Sequence, residues 1–499
     1  MLIDVALPLP LFRTFTYAVD GDLAARVRAG SRVVVPFRNR RELGICLGPS
    51  DGAALGTARA KAVLAAPDEA PTVSAPLLEL CRWVADYYVA PIGQVLRSAL
   101  PVALTGAADP TPTQRTRRVA TVARHLESLL HRERIFARAP QQRALYELLE
   151  SLGGRASVEH LLELLSFSPS VLKGLVARGL VTVSDEVVAR DPFAGRLPTA
   201  SHAAHPPSPA QQAAIDALGA ARPGEVFLLH GITGSGKTLV YIELLRRVVQ
   251  EQGRTAIVLV PEIALTPQTV DRFRSVFGDR VAVLHSALGD GERYDEWLAL
   301  KRGEKRIAVG ARSAVFAPLE NLGAIVVDEE HEASYKQGEA PRYHARELAV
   351  VRARLEGAAV VLGSATPSLE SWANAEAGKY RLLSLPDRAG AGRLPTVEVV
   401  DLRAERPGDG AGRRAAPAVA AYRAVVTPRL DAAMHESLER GEQVILLLNR
   451  RGYAAFVQCG ACGDVATCPQ CSITLTYHRT PERLVCHYCL HKEPPRPQC

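Results

Sequence analysis

Apolar runs of strand length alternate with amphipathic helical segments through the middle of the chain. This alternation is typical of a parallel α/β sheet, because each helix carries the chain back across the sheet before the next strand begins. In such a sheet ligands bind beyond the carboxyl ends of the strands, so the loops there form the candidate site. The predicted strands are residues 226–229, 256–260, 281–284, 307–309, 324–327 and 360–362.

Two other patterns precede a linker at residues 201–209 that is rich in Pro and His. Residues 1–105 carry short apolar runs separated by Gly and Pro, which predict a small β-rich module followed by a helix over 77–88. Residues 106–198 predict helices over 141–152, 157–165 and 169–178, then a strand over 180–183. That order is typical of a winged helix, which binds DNA or protein or serves only as a spacer.

The remainder of the chain predicts the beginning of another α/β lobe, from a helix over 428–440 and a buried strand over 443–448. A cysteine-rich region interrupts this lobe. The chain is therefore a multidomain α/β protein. Its predicted domains are residues 1–105, 106–198, 199–395, 396–455 and 456–499.

Composition adds only weak limits on function. The formal charge of +7 and the pI near 9.0 permit a polyanionic partner, but an ordinary basic surface explains them equally well. The N-terminus contains Asp4 and no basic region of a signal peptide, and no apolar run approaches the ~20 residues of a membrane span. We therefore expect a cytoplasmic protein without a membrane partner.

The loop after the first strand of the predicted sheet fits G-x-x-x-x-G-K-[ST] at every fixed position. A strand before it and a helix after it would direct main-chain N–H groups at phosphate oxygens, which disfavours the alternative of a glycine-rich surface turn. Lys237 would neutralise the β- and γ-phosphates of ATP, and Thr238 would ligate Mg²⁺. The loop comprises Gly231, Ile232, Thr233, Gly234, Ser235, Gly236, Lys237 and Thr238.

An acidic run, Asp-Glu-Glu-His, follows the strand at 324–327. Asp328 is placed to hold Mg²⁺ together with Thr238, and Glu329 to orient and deprotonate the attacking water. A surface acidic run is the alternative, but a position directly after a buried strand argues against it. The small residues 363–366, which follow another strand, would link the nucleotide site to a moving partner lobe, and together with His331 they would relay the state of the nucleotide to DNA.

Seven of the nine cysteines fall after residue 458. C-x-x-C pairs at this spacing indicate tetrahedral zinc, because short turns hold the four soft ligands; redox chemistry is the lesser alternative. One full set is Cys468, Cys471, Cys486 and Cys489, and three of the four ligands of a second site are Cys459, Cys462 and Cys499. Cys46 and Cys81 have the apolar neighbours of small core residues.

The order of these elements resembles the PriA family of superfamily 2 DNA helicases, which act in replication restart. The resemblance implies two RecA-like lobes, the second with the inserted zinc region. In the family the cysteine pairs interleave, so that Cys459 and Cys462 join the last pair around one zinc. The matching segments are GITGSGKT (231–238), LVPEIALTPQ (259–268), GARSAVFAPL (310–319), DEEH (328–331), SYKQGEAPRYHARELA (334–349), GSATPS (363–368), LLLNRRGYA (446–454) and the cysteine spacing.

By this resemblance, the first module captures the 3′ end of DNA, and Phe15, Thr16 and Lys61 contact the terminal nucleotide. The family commonly has Asp where Thr16 stands, so hydrogen bonding to the 3′-OH is in doubt. Residues 334–346 match an aromatic-rich loop, in which Tyr335 and Tyr343 would stack on single-stranded bases.

Two further positions in that comparison bear on ligand binding. Pro341 stands where relatives often have Trp, so one stacking ring is missing. Gln212 matches the residue that reads adenine in related helicases.

The resemblance implies an ATP-dependent 3′→5′ DNA helicase that recognises stalled or branched forks and initiates primosome assembly. Its partners would be forked and single-stranded DNA, primosome proteins and single-strand DNA-binding protein, and it would be a monomer. The family continues beyond Cys499 with the rest of the second lobe and its arginine finger, so we expect a truncated chain. A catalytically impaired DNA-binding or primosome-assembly factor is the main alternative, and an RNA helicase, from the likeness of DEEH to DEAH boxes, is another.

Overall fold

A computed structural model gives the fold of this chain. It describes residues 1–499 except 56, 58, 107–115, 127, 165–166, 188–205, 286–287, 390–395, 401–425, 448–456, 458–463, 472, 480, 488 and 496–499. The chain divides into two units, Met1–Gly392 and Arg393–Cys499. None of the described helices has the length and apolar content that crossing a bilayer requires.

The first unit begins with a five-stranded sheet in the order β3-β4-β1-β2-β5. The β-rich module and the helix predicted over 77–88 are present, whereas the other two helices of this module were not predicted. The strands are β1 (Leu2–Ala6), β2 (Phe15–Ala18), β3 (Arg32–Phe37), β4 (Arg40–Pro49) and β5 (Lys61–Ala62). The helices are α1 (Asp22–Arg26), α2 (Ala75–Tyr87) and α3 (Ile92–Ala99).

Residues 116–187 place three helices against an antiparallel sheet of order β7-β6-β8. The predicted helix over 157–165 is a π-helical segment, His160–Leu164, and the first two strands and the first helix were not predicted. Leu145, Leu149, Leu161 and Leu175 fill the core. The elements are β6 (Thr116–Val122), α4 (Leu129–Phe136), α5 (Pro140–Ser151), β7 (Arg155–Ser157), α6 (Pro169–Ala177) and β8 (Val181–Val187).

The third part of this unit is the predicted parallel sheet, with strand order β11-β12-β10-β13-β14-β9-β15. All six predicted strands are confirmed, and β15 is added at the edge. The strands are β9 (Val226–Gly231), β10 (Thr255–Leu259), β11 (Val281–Leu284), β12 (Ile307–Gly310), β13 (Leu322–Asp328), β14 (Ala359–Ser364) and β15 (Arg381–Leu385). The helices are α7 (Pro209–Gly219), α8 (Lys237–Leu245), α9 (Pro267–Phe277), α10 (Asp290–Lys301), α11 (Ala345–Glu356) and α12 (Leu369–Glu376).

Both faces of this sheet are covered, which explains why its strands are apolar without alternation. Along β10, Ile257 and Leu259 enter the core on one face, and Ala256 and Val258 enter the core on the other. Because these strands pair in parallel, the loops after β9, β13 and β14 lie side by side at the carboxyl ends of the strands.

The core on one face also contains the helical part of the N-terminal module. Leu80 and Val84 of α2 lie in the same cluster of buried side chains as Leu348 and Ala349 of α11. The Nζ atom of Lys301 donates a hydrogen bond to the carbonyl oxygen of Pro71 at 2.8 Å. The N-terminal module and the lobe therefore share buried packing.

The second unit has a helix, α13 (Pro428–Glu439), and a small antiparallel sheet of β16 (Thr476–Arg479), β17 (Glu482–Val485) and β18 (Lys492–Glu493). The prediction of a buried strand over 443–448 is wrong for residues 443–447, which form no strand. Ile445 is 94% exposed, because no described neighbour pairs with this apolar run or covers it. Residue 448 lies outside the described residues.

Candidate nucleotide and zinc sites

The loop between β9 and α8 has the shape of an anion cradle. Gly234 and Gly236 have φ angles of 82° and 80°, in the left-handed region that favours glycine. A Cβ atom on Gly236 would lie 2.3 Å from the Nε2 atom of Gln211, so a larger residue would displace that side chain as well as strain the backbone. No side chain caps the N-terminus of α8, which leaves its first N–H groups for a ligand.

Two buried polar side chains of this loop fit a polyphosphate. The Nζ atom of Lys237 donates to the carbonyl oxygen of Gly231 at 2.9 Å and lies 3.9 Å from the Oε1 atom of Glu329. The hydroxyl of Ser235 is buried and has no hydrogen-bond partner among the described residues. Residues 231–238 would therefore hold the phosphates of ATP, and Thr238, in the first turn of α8, would face the Mg²⁺ that accompanies them.

Asp328 is the last residue of β13 and pairs with Gly363 of β14. Burial, and then the charge of Glu329, raise the pKa of the Asp328 carboxyl above its usual value. The hydroxyl of Tyr241 donates a hydrogen bond to its Oδ1 atom at 3.0 Å. A desolvated carboxylate beside the cradle suits a cation, so Asp328 would help to hold Mg²⁺.

Glu329 and His331 lie together, and Glu329 reaches the lysine of the cradle. Glu329 has a φ of 43°, and its Oε2 atom lies 3.7 Å from the Nδ1 atom of His331. The same ring nitrogen lies 2.7 Å from the hydroxyl oxygen of Ser364 at the end of β14. Ser364 also accepts a hydrogen bond from the N–H of Thr366 at 2.9 Å. The acidic run and the segment 363–366 thus contact each other directly.

The sequence did not reveal the role of Glu330, whose side chain is fully buried. Its carboxylate accepts hydrogen bonds from the N–H and hydroxyl of Ser368, the hydroxyl of Ser371 and the guanidinium of Arg346, at 2.7–3.0 Å. Arg346 closes the loop 334–346, and Ser368 caps α12. Glu330 therefore joins three segments, a role that no local pattern in the sequence indicates.

The structure brings Gln211, not Gln212, to the cradle. The Nε2 atom of Gln211 donates to the carbonyl oxygen of Ser235 at 2.8 Å, whereas the exposed Gln212 bonds Asp216. The reason is helical geometry, since neighbouring residues of α7 point about 100° apart. The S-x-x-Q capping box formed by Ser208 and Gln211 is the sequence signal that could have identified it.

Tyr335 and Tyr343 are not available for base stacking in this structure, with 1% and 3% of their surfaces exposed. The hydroxyl of Tyr335 donates to the main-chain oxygen of Asp328 at 2.7 Å. The ring of Tyr343 packs edge-on against Phe316, and burial raises its pKa to about 12. The guanidinium of Arg312 donates to the carbonyl oxygens of Ser334 and Lys336, on either side of Tyr335.

The three residues predicted to contact a DNA end lie on neighbouring strands, because Tyr17, next to Thr16, pairs with Lys61. Lys61 is exposed, and Phe15 is half-buried. The hydroxyl of Thr16 donates to the Oδ1 atom of Asp4 at 2.7 Å. A carboxylate from β1 therefore lies beside Thr16, which the sequence alone did not suggest.

The predicted full zinc set converges in the second unit. The Sγ atoms of Cys468, Cys471, Cys486 and Cys489 all lie within 4.8 Å of one another. Those of Cys468 and Cys489 are 3.6 Å apart, close to the ~3.8 Å expected for Zn–S bonds of about 2.3 Å in a tetrahedron.

A cation would relieve the crowding of these thiols. The hydrogen bond with Cys489, and then burial, raise the pKa of Cys471 to about 12, a penalty on the thiolate that bound Zn²⁺ removes. The other three predicted ligands, Cys459, Cys462 and Cys499, lie outside the described residues.

Family models match the chain in three places. A PriA 3′ DNA-binding domain matches residues 4–101, and a DEAD/DEAH box helicase domain matches residues 208–374. The Cys-rich region domain of PriA DNA helicase matches residues 468–494.

Curated relatives extend this similarity over almost the whole chain. The replication restart protein PriA of Bacillus subtilis is 37% identical over 97% of the chain, and that of Haemophilus influenzae is 36% identical over 98%. The chain spans 66% and 64% of the lengths of these relatives. Among solved structures, RecG bound to a three-way DNA junction covers 38% of the chain at 22% identity, with a TM-score of 0.29 over 25% of its own chain.

Proposed function

This chain belongs to the PriA family, and from that membership we propose that it is an ATP-dependent DNA helicase of replication restart. In this proposal it moves 3′→5′ on DNA, recognises stalled or branched forks and initiates primosome assembly. Relatives named replication restart protein support the biological role. The helicase domain match supports the activity.

The observation that carries the proposal is that residues 231–238, 328–331 and 363–366 meet at the carboxyl ends of the parallel strands. Lys237 of the cradle lies 3.9 Å from Glu329, and His331 lies 2.7 Å from Ser364. In this role Lys237 neutralises phosphate charge, while Asp328 and Thr238 hold Mg²⁺. Bound Mg²⁺ neutralises charge that develops on the phosphates.

Glu329 would act as the general base, because it is a half-exposed carboxylate beside the cradle that can orient water and accept its proton. His331, through its contact with Ser364, would report the change at the phosphates to the rest of residues 363–366. Gln211 replaces Gln212 as our candidate for contact with the adenine base, because its side chain reaches the cradle.

The DNA end would bind on the five-stranded sheet through Phe15, Thr16 and Lys61. The match of residues 4–101 to a 3′ DNA-binding domain supports this assignment. The exposed Lys61 supplies charge for a phosphate, and the half-buried ring of Phe15 supplies an apolar face for a base.

Strand displacement on forked DNA tests the proposal. Substrates with a 3′ or a 5′ single-stranded tail separate the two polarities, and Lys237→Ala should abolish ATP-dependent unwinding while DNA affinity remains. The matched control is Lys379→Ala. Lys379 is exposed and lies before the first residue of β15, at the amino ends of the strands, whereas the cradle follows their carboxyl ends. Unwinding that survives in the Lys237 variant would overturn the proposal.

A further inference from the structure

Tyr241 is a buried residue of the nucleotide site that neither the motifs nor the comparisons assign. It lies on α8 four residues after Lys237, about one helical turn, so the two side chains project from the same face of that helix. Only 1% of its surface is exposed. Its hydroxyl donates to the Oδ1 atom of Asp328 at 3.0 Å.

The hydroxyl of Tyr241 occupies a space that the neighbouring strand leaves open. A Cβ atom on Gly363 would lie 1.7 Å from this hydroxyl oxygen, so any side chain there would displace it. Asp328 and Gly363 are partners in the β13–β14 ladder. Two strands and one helix thus fix the position of the hydroxyl.

The hydrogen bond has a definite direction. The phenol O–H of Tyr241 is the donor, and the Oδ1 atom of the Asp328 carboxylate is the acceptor. The bond occupies one oxygen of the carboxylate and restricts rotation of the side chain. A carboxylate has about four acceptor sites, so the bond to Tyr241 leaves room for a cation on the same group.

We propose that Tyr241 is a positioning residue that holds the Asp328 carboxylate in the orientation that binds the Mg²⁺ of Mg²⁺–ATP. The inference rests on the proposed function of the cradle. Hydrogen bonds to a ligating carboxylate orient it, and their loss costs about 10- to 100-fold in metal affinity. Lys237 and Tyr241 would then place the phosphates and the metal-binding carboxylate from a single helix.

Binding of a fluorescent ATP analogue (mant-ATP) to the full chain, in Mg²⁺ and in EDTA, tests this inference without relying on turnover. In Tyr241→Phe, the gain in affinity that Mg²⁺ provides should fall by about 10- to 100-fold, while the affinity in EDTA stays unchanged. Tyr294→Phe, which alters another buried tyrosine on α10, is the matched control and should leave both affinities unchanged.

Three results would overturn the inference and are distinguishable from one another. A Tyr241→Phe chain with the full Mg²⁺-dependent gain, or with equal losses in Mg²⁺ and EDTA, excludes positioning of Asp328 while leaving ATP binding intact as a function. A parent chain that binds no mant-ATP would overturn the proposed function, and this inference with it.

Discussion

The hydroxyl of Tyr88 accepts a hydrogen bond from the main-chain N–H of His344 at 3.1 Å. Tyr88 is the C-cap residue of α2, and His344 is the N-cap residue of α11. The Nζ atom of Lys336 lies 5.1 Å from the centroid of the Tyr88 ring. The N-terminal module therefore contacts both ends of the loop 334–346, which also reaches Asp328 through Tyr335.

The shared core predicts that the N-terminal module and the lobe unfold together. Val84→Asp buries a charge in that core and should lower the free energy of unfolding by about 3–5 kcal/mol, with faster amide exchange in both β3 and β13. Val102→Asp, at a residue that is 59% exposed, is the control and should change little. Faster exchange confined to β1–β5 would contradict the prediction.

Removal of the Lys237 ammonium should weaken nucleotide binding. A charged hydrogen bond is worth about 1.5–3 kcal/mol, so Lys237→Ala should raise the Kd for mant-ATP by about 10- to 150-fold. Fluorescence titration measures this change. An unaltered Kd would mean that the buried ammonium, which bonds Gly231 in this structure, serves only the loop.

Glu330 should contribute more to stability than Glu347, the other carboxylate that pairs with Arg346. Glu330→Ala leaves buried donors and the Arg346 guanidinium without this acceptor, so the free energy of unfolding should fall by about 3–5 kcal/mol. Glu347→Ala removes a 42%-exposed partner of the same arginine and should cost only about 0–1 kcal/mol. Urea denaturation compares the two, and similar losses would refute the difference.

The four described cysteine ligands should hold one zinc ion together. Cys486→Ser should lower the zinc content by one ion per chain and expose the strands β16–β18 to proteolysis, because the metal supplies folding free energy to this small core. Atomic spectrometry and limited digestion read the two effects. Cys81→Ala, in the other unit, should keep its zinc; loss of metal in both variants would point away from these ligands.

His344 should make stability depend on pH. Burial, and then the charge of Arg346, lower its pKa below 6.5, so the folded chain holds the ring neutral while the unfolded chain can protonate it. Stability is therefore complete above about pH 6.5 and declines as the pH falls through that value. His344→Gln should reduce the fall in Tm between pH 7.5 and pH 5.5. His435→Gln, on the exposed face of α13, should not.

The sequence predicted the parallel sheet because strands buried on both faces are continuous apolar runs, as in β10. It missed β15 because only Leu385 of that edge strand is buried, so the strand lacks the pattern. It predicted a strand over 443–448 from local apolarity alone, whereas a strand also requires a partner. Periodicity describes one element and contains no information about its neighbours.

In the candidate site, too, the sequence indicates local motifs but not contacts between distant residues. The cradle and the acidic run are local motifs, which follow β9 and β13 in the structure as they follow the predicted strands in the sequence. The burial of Tyr335 and the contacts of Glu330 depend on residues distant in sequence, so no local pattern indicates them. Tyr241 is an intermediate case: its spacing of four from Lys237 predicts a shared helix face, but its bond to Asp328 depends on how β13 lies against α8.

The packing of α2 against α11 has a consequence for distance measurement on DNA. A DNA end bound on the five-stranded sheet would lie at a fixed distance from residues 231–238. The number of nucleotides between that end and the ATP-binding lobe would then be set by this packing rather than by a flexible linker.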